Sequence, residues 1–215
     1  MKFKGVIFDL DGTLVDSLED LADSMNTVLH NFNFPVHALK TYKYFVGKGI
    51  FQLVRVALPE SRRDKQTIAR CHKLMMEVYG NNCTNKSKPY EGIIDLLNEL
   101  KSREIKLGVL SNKANELTTR IVYALLPDYF DVVKGLVIEA NKKPDPSEAF
   151  QMSETLGIDP ADFIFIGDTS IDMQTAKNAG MYGVGVSWGF RPKEELIANG
   201  AKCILDQPMD LLKLL

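Results

Sequence analysis

From Pro89 to the C-terminus, short apolar runs alternate with helical stretches, and no other feature of this chain constrains its fold as tightly. A helical pattern over residues 91–103 precedes the run Lys106 to Leu110, and one over Ala114 to Leu125 precedes a run from Val132 to Ile138. A helix ending at Leu156-Gly157 leads to Phe163–Ile166. The next helix, with Ser170 as its expected N-cap, leads to Tyr182–Val186, and a helix, a strand and a last helix close the chain. Strands separated by helices pair in parallel through right-handed crossovers and are covered on both faces. A further β-branched and aromatic run, Val6 to Phe8, stands apart near the start. Between them the period changes: Leu18, Leu21, Met25, Val28, Leu29 and Phe32 recur at helical spacing, and helical patterns continue to Gly80. The sequence therefore predicts an α/β core of residues 1–16 and 85–215, interrupted after its first strand by an all-helical insert, residues 17–84.

Composition excludes several partners. Lys and Arg total 26 against 28 Asp and Glu, with no basic stripe, so neither nucleic acid nor an anionic membrane is expected. No apolar run reaches the ~18 residues of a spanning helix. The first strand starts within a few residues of Met1, so no signal peptide is expected. Cys71, Cys83 and Cys203 lack metal-type spacing and suit reduced thiols, so a cytoplasmic protein is expected. His30, His37 and His72 read as surface or packing residues.

The strand ends carry the chemistry. The first delivers Asp9 and Asp11 ahead of Gly12-Thr13, a string that alone fits an acidic turn as well as a site. Other strands end in Ser111-Asn112 and in Asp168, with Asp172 on the same face of the following helix, and a proline-flanked loop carries Lys143. Parallel strands bring these ends to one sheet edge. Crowded carboxylates call for a hard cation such as Mg²⁺, and with a lysine, a hydroxyl and backbone N–H groups the edge suits a phosphate dianion. The residues alone leave alternatives open: Ser111 as a helix cap, Asp172 as a first-turn helix acid, and Lys142 as a rival to Lys143.

In order, Asp9-Leu10-Asp11-Gly12-Thr13, Ser111-Asn112, Lys143-Pro144 and Gly167-Asp168-Thr169-Ser170-Ile171-Asp172 resemble the four motifs of the haloacid dehalogenase superfamily. The resemblance implies a Rossmann-like parallel sheet with an inserted all-α cap. It implies Asp9 as a nucleophile that forms an aspartyl-phosphate, and Asp11 as the acid that protonates the leaving oxygen and later activates water. Mg²⁺ would be held by Asp9, the Asp11 backbone carbonyl and Asp168, with Asp172 in an outer-shell or positioning role. Ser111, Asn112 and Lys143 would grip the phosphoryl group, and the Lys-Pro pattern favours Lys143 over Lys142. An Asp at position 11 places the resemblance in the phosphatase and mutase branch.

The insert is expected to close over the site and read the leaving group. Its candidate reader is Gly47-Lys48-Gly49, where two glycines permit close backbone approach and Lys48 can meet an anion; a solvated lysine in a turn is the competing reading. This turn, Pro89-Tyr90-Glu91-Gly92 and Trp188-Gly189-Phe190-Arg191-Pro192 resemble the phosphoglycolate phosphatases of the superfamily, which implies 2-phosphoglycolate as substrate. Sugar phosphates, pyrophosphate, β-phosphoglucomutase-like transfer and a non-catalytic scaffold remain alternatives. A monomer or homodimer is expected.

Overall fold

In a computed structural model, which describes residues 3–215, the chain divides into two compact units. One joins the segment ending at Asp16 to Pro89–Leu215; the other is Ser17–Lys88. Residues 85–88 thus fall with the helical unit.

The first unit is built on β1 (Gly5–Phe8), whose four residues are all buried. Two-residue strands, β2 (Val15–Asp16) and β3 (Lys88–Pro89), lie at the sequence junctions. After them come α5 (Ile93–Ser102), β4 (Lys106–Ala114), α6 (Asn115–Leu125), β5 (Val132–Leu136), α7 (Ser147–Leu156), β6 (Phe163–Gly167), α8 (Ser170–Asn178), β7 (Tyr182–Val186), α9 (Lys193–Ala198) and β8 (Cys203–Leu205). The sheet is parallel, in the order β5-β4-β1-β6-β7-β8. It is the α/β architecture the alternating pattern predicts. β1 lies at the centre, with Gly5 opposite Lys106 on one side and Phe163 on the other. Fully buried strands read as near-continuous apolar runs, as Val6-Ile7-Phe8 and Phe163-Ile164-Phe165-Ile166 do. Ile7, Leu110, Phe163 and Phe165 pack with Met152 of α7 and Ala176 of α8 to form a core on one face.

Some boundaries differ from the sequence reading. β4 continues past Leu110 to Ala114, with its register against β5 shifting between those residues. β5 ends at Leu136 rather than Ile138. The last expected helix is a 3₁₀ segment, Pro208–Lys213. The N-cap of α8 is Thr169, not Ser170. The Thr169 side chain accepts from the Asp172 N–H while Asp172 accepts in return from the Thr169 N–H, a capping box that the neighbouring serine cannot make.

The second unit holds α1 (Leu18–Asn31), α2 (Leu39–Phe45), α3 (Gly49–Ala57) and α4 (Lys65–Asn82). The apolar stripe of α1 buries Leu21, Met25, Val28 and Leu29, and α4 buries Ile68, Cys71, Met75 and Tyr79. Asn26 of α1 accepts from the Tyr42 hydroxyl at 2.7 Å and from the His37 N–H at 3.0 Å. Buried Asp20 accepts from the N–H groups of Lys86 and Ser87, anchoring the end of the unit to α1. Among the described residues, no helix is long and apolar enough to cross a membrane.

Candidate active site

The C-terminal ends of β1, β4 and β6 bring the acids and lysines together. Asp9 follows Phe8 directly, and its N–H still donates to Ile166 O at 2.9 Å, so the strand pairing holds its backbone. Gly12 turns the chain away with φ +85°, a region costly for any residue with a Cβ. A Cβ at Gly12 would also lie 2.3 Å from Asp168 Oδ2, so the glycine lets the turn close over that carboxylate. On its far side, Gly189 would place a Cβ 2.3 Å from Asp168 Cβ. The Phe190 N–H donates to Asp168 Oδ2 at 2.7 Å, and Trp188 Nε1 donates to Thr13 O at 3.0 Å. The Trp188-Gly189-Phe190 loop thus ties the turn after β1 to the end of β6.

Lys143 is 4% exposed and donates from Nζ to Asp9 Oδ1 at 2.8 Å, Asp172 Oδ1 at 2.7 Å and Leu110 O at 2.9 Å. Lys142 instead pairs with exposed Glu139. The Asn112 side chain brackets the Lys143 backbone, accepting from its N–H at 2.9 Å and donating to its carbonyl at 3.2 Å. Ser111 Oγ, buried, accepts from the Lys113 N–H at 3.2 Å. Asp172 Oδ2 accepts from the N–H and hydroxyl of Thr169, so this acid both caps α8 and holds Lys143.

Matching residues 6–186, the chain fits the model of the haloacid dehalogenase-like hydrolases. The chain belongs to this family. Phosphoglycolate phosphatase from Aquifex aeolicus is 31% identical to it, over 98% of this chain and 95% of that one. The Nitrosospira multiformis phosphoglycolate phosphatase is 30% identical, over 100% and 96%. A crystal structure from Lactobacillus delbrueckii subsp. bulgaricus shares 30% identity and a TM-score of 0.93, covering 100% of this chain and 98% of that chain. A haloacid dehalogenase-like hydrolase from Streptococcus pneumoniae follows at 26% identity and TM-score 0.89, over 99% and 98%. The chain is an enzyme, a phosphatase of the haloacid dehalogenase family.

Within this haloacid dehalogenase core, the expected residues Asp9, Lys143, Asp168 and Asp172 come together, with Asn112 serving Lys143 through its backbone. Gly47, Lys48 and Gly49 lie in the helical unit, where Gly47 and Gly49 take φ +108° and +75° on either side of exposed Lys48. The sequence reading missed Lys113. It is 3% exposed, and its Nζ donates to Asp11 Oδ1 at 2.6 Å. The available signal was its place directly after Ser111-Asn112, at the end of a buried strand where a lysine needs a partner.

Electrostatically the cluster carries more acid than base. Burial, reinforced by Asp172 and Asp11 against the opposing pull of Lys143, pushes the Asp9 carboxyl up to about 7. Burial also raises Asp168 well above the usual carboxylate range, helped by Asp172 and Asp9 and opposed by the Phe190 N–H and Arg191. Burial pulls Lys143 down, but Asp172 and Asp9 together outweigh it and the net shift is upward. One carboxylate oxygen from each of Asp9, Asp168 and Asp172 lies within 4.8 Å of the others. Asp168 Oδ1, fully buried, has no hydrogen-bond partner among the described residues. A buried orphan oxygen beside two further carboxylates fits a hard divalent cation, which takes oxygen ligands and relieves their mutual repulsion.

Proposed function

We propose that this phosphatase hydrolyses a small phosphomonoester, 2-phosphoglycolate first among them, with Mg²⁺ and through an aspartyl-phosphate on Asp9. The observation that carries the chemistry is the buried orphan oxygen of Asp168 beside an Asp9 carboxylate held by Lys143. The substrate reading rests on the full-length relatives named phosphoglycolate phosphatase.

Asp9, Asp168 and the Asp11 backbone carbonyl would hold the ion, with Asp172 behind them; when bound, it supplies positive charge that lets a phosphate dianion approach a carboxylate. Lys143 offsets the same repulsion and stays beside the charge that spreads over the phosphoryl oxygens during transfer. Asn112 fixes Lys143 through its backbone, and Ser111 offers a hydroxyl to the phosphoryl group. Asp9 attacks phosphorus while Asp11 gives a proton to the leaving oxygen. Asp11 then takes a proton from the water that frees phosphate and restores Asp9. Lys48, exposed in the helical unit, is the candidate for recognising a carboxylate. The near-neutral charge, without a basic stripe, and three cysteines outside any disulfide support a cytoplasmic enzyme acting on metabolites.

A panel of 2-phosphoglycolate, sugar phosphates and pyrophosphate, assayed for phosphate release with Mg²⁺ and with chelator, tests the reading. Phosphoglycolate is expected to turn over fastest, the chelator to abolish release, and Asp9→Asn to lower kcat roughly 10⁴-fold or more. Isomerised sugar phosphate in place of free phosphate would mark a mutase. Full turnover by Asp9→Asn would sink the nucleophile assignment.

A further inference from the structure

Lys113 is a buried lysine that the phosphate chemistry above does not use. Lys143 already serves Asp9 and Asp172. Lys113 serves Asp11, Nζ to Oδ1 at 2.6 Å, with side-chain exposures of 2% for the lysine and 11% for the acid. An ammonium buried this deeply is tolerated only when paired, and such a pair is weak evidence for stability, so its placement asks for another explanation. The register shift in β4 between Leu110 and Ala114 supplies the means. An irregularity of this kind re-aims side chains at a strand end, and Lys113 lies inside it, its N–H held by Ser111 Oγ.

We propose that Lys113 is a positioning residue for the proton chemistry of Asp11. By seating its ammonium on Oδ1, it fixes the carboxyl plane and assigns proton exchange to Oδ2. In the first half-reaction the Asp9–phosphorus bond forms, the bond from phosphorus to the leaving oxygen breaks, and that oxygen takes the proton from Asp11 Oδ2. In the second, a water oxygen bonds to phosphorus, its proton passes to Asp11 Oδ2, and the Asp9–phosphorus bond breaks. Lys113 touches neither substrate nor phosphorus in these steps; it sets which oxygen of Asp11 works. This inference rests on the acid–base reading of Asp11, and its test separates the two.

A leaving group that departs as a stable anion needs no proton, whereas an alkoxide does. kcat/KM reports the first half-reaction, so it is measured for 4-nitrophenyl phosphate and for the best alkyl phosphate of the ester panel. Wild type, Lys113→Met, Lys113→Arg and Asp11→Asn are compared. Lys113→Met is expected to lose roughly 30- to 100-fold on the alkyl ester and under about threefold on the aryl ester. Lys113→Arg is expected to recover most of the selective loss. The ratio of the two substrates is internal to each preparation, so partial unfolding of a variant cancels. An equal loss on both esters by Lys113→Met, with Asp11→Asn selective for the alkyl ester, would overturn the positioning role alone. An Asp11→Asn variant equally impaired on both would overturn the acid reading and this proposal with it.

Discussion

Asp168 spends one oxygen on the Phe190 N–H and buries the other without a partner, beside two more acids. An ionised carboxylate in that position costs stability until a cation arrives. Mg²⁺ at about 100 times its Kd should therefore add about 2.7 kcal/mol, or roughly 5–10 °C in melting temperature for a chain of this size. Asp168→Asn is expected to abolish that shift while leaving the metal-free melting temperature equal or higher. A metal-induced shift that survives the substitution would remove Asp168 from the ligand set. At this scale much of the site was legible. Asp9 and Asp168 each end an apolar run, and polar groups at the C-terminal ends of parallel strands converge by topology. Lys113 was not, because its partner lies 102 positions away and its place after Ser111-Asn112 does not name that partner. The Asn112 side chain also bonds the Lys143 backbone, a contact between segments 31 residues apart that no local pattern signals.

Among the elements, β4 departs most from its sequence pattern. Ser111, Asn112 and Lys113 read as the polar end of a strand, yet each is buried because Lys143 and Asp11 supply partners for the side chains of Asn112 and Lys113. Polarity alone cannot distinguish a satisfied buried residue from a solvated one. Two-residue strands such as β2 are invisible to periodicity for a simpler reason: they are shorter than one alternation. The start of β4 is held by Asp131, which accepts from the Leu107 N–H at 2.9 Å and from Lys106 Nζ at 2.8 Å. Burial raises the Asp131 carboxyl, but these two donors outweigh it and leave it below the usual carboxylate range. The sign follows: its stabilisation is full above the unfolded value near 4 and fades as pH falls through the lower folded one. Asp131→Asn should cost about 1 kcal/mol in urea unfolding at pH 7, discounted for partial exposure, and progressively less from about pH 4 towards pH 2. A penalty independent of pH would assign the effect to packing.

At the scale of the molecule, the division into a helical unit and an α/β unit was readable because the hydrophobic period switches after residue 17 and back near Pro89. The residue that returns the chain to the sheet was less so, since residues 85–88 carry no period and are held by Asp20 through backbone N–H groups. The proposal that the helical unit reads the substrate is tested at Lys48, exposed between two left-handed glycines. Lys48→Ala should raise KM for 2-phosphoglycolate about tenfold, the worth of one charge-assisted contact, with kcat kept within about twofold. An unchanged KM would move recognition elsewhere. The strand order also governs assembly during synthesis. β1 is synthesised before β4 and β6 but lies between them, so both of its neighbours exist only once Gly167 has been added. The helical unit closes within Ser17–Lys88 and can pack while translation continues. A nascent chain thus presents Asp9 well before Lys143 and Asp168, and the three can come together only after both have been added.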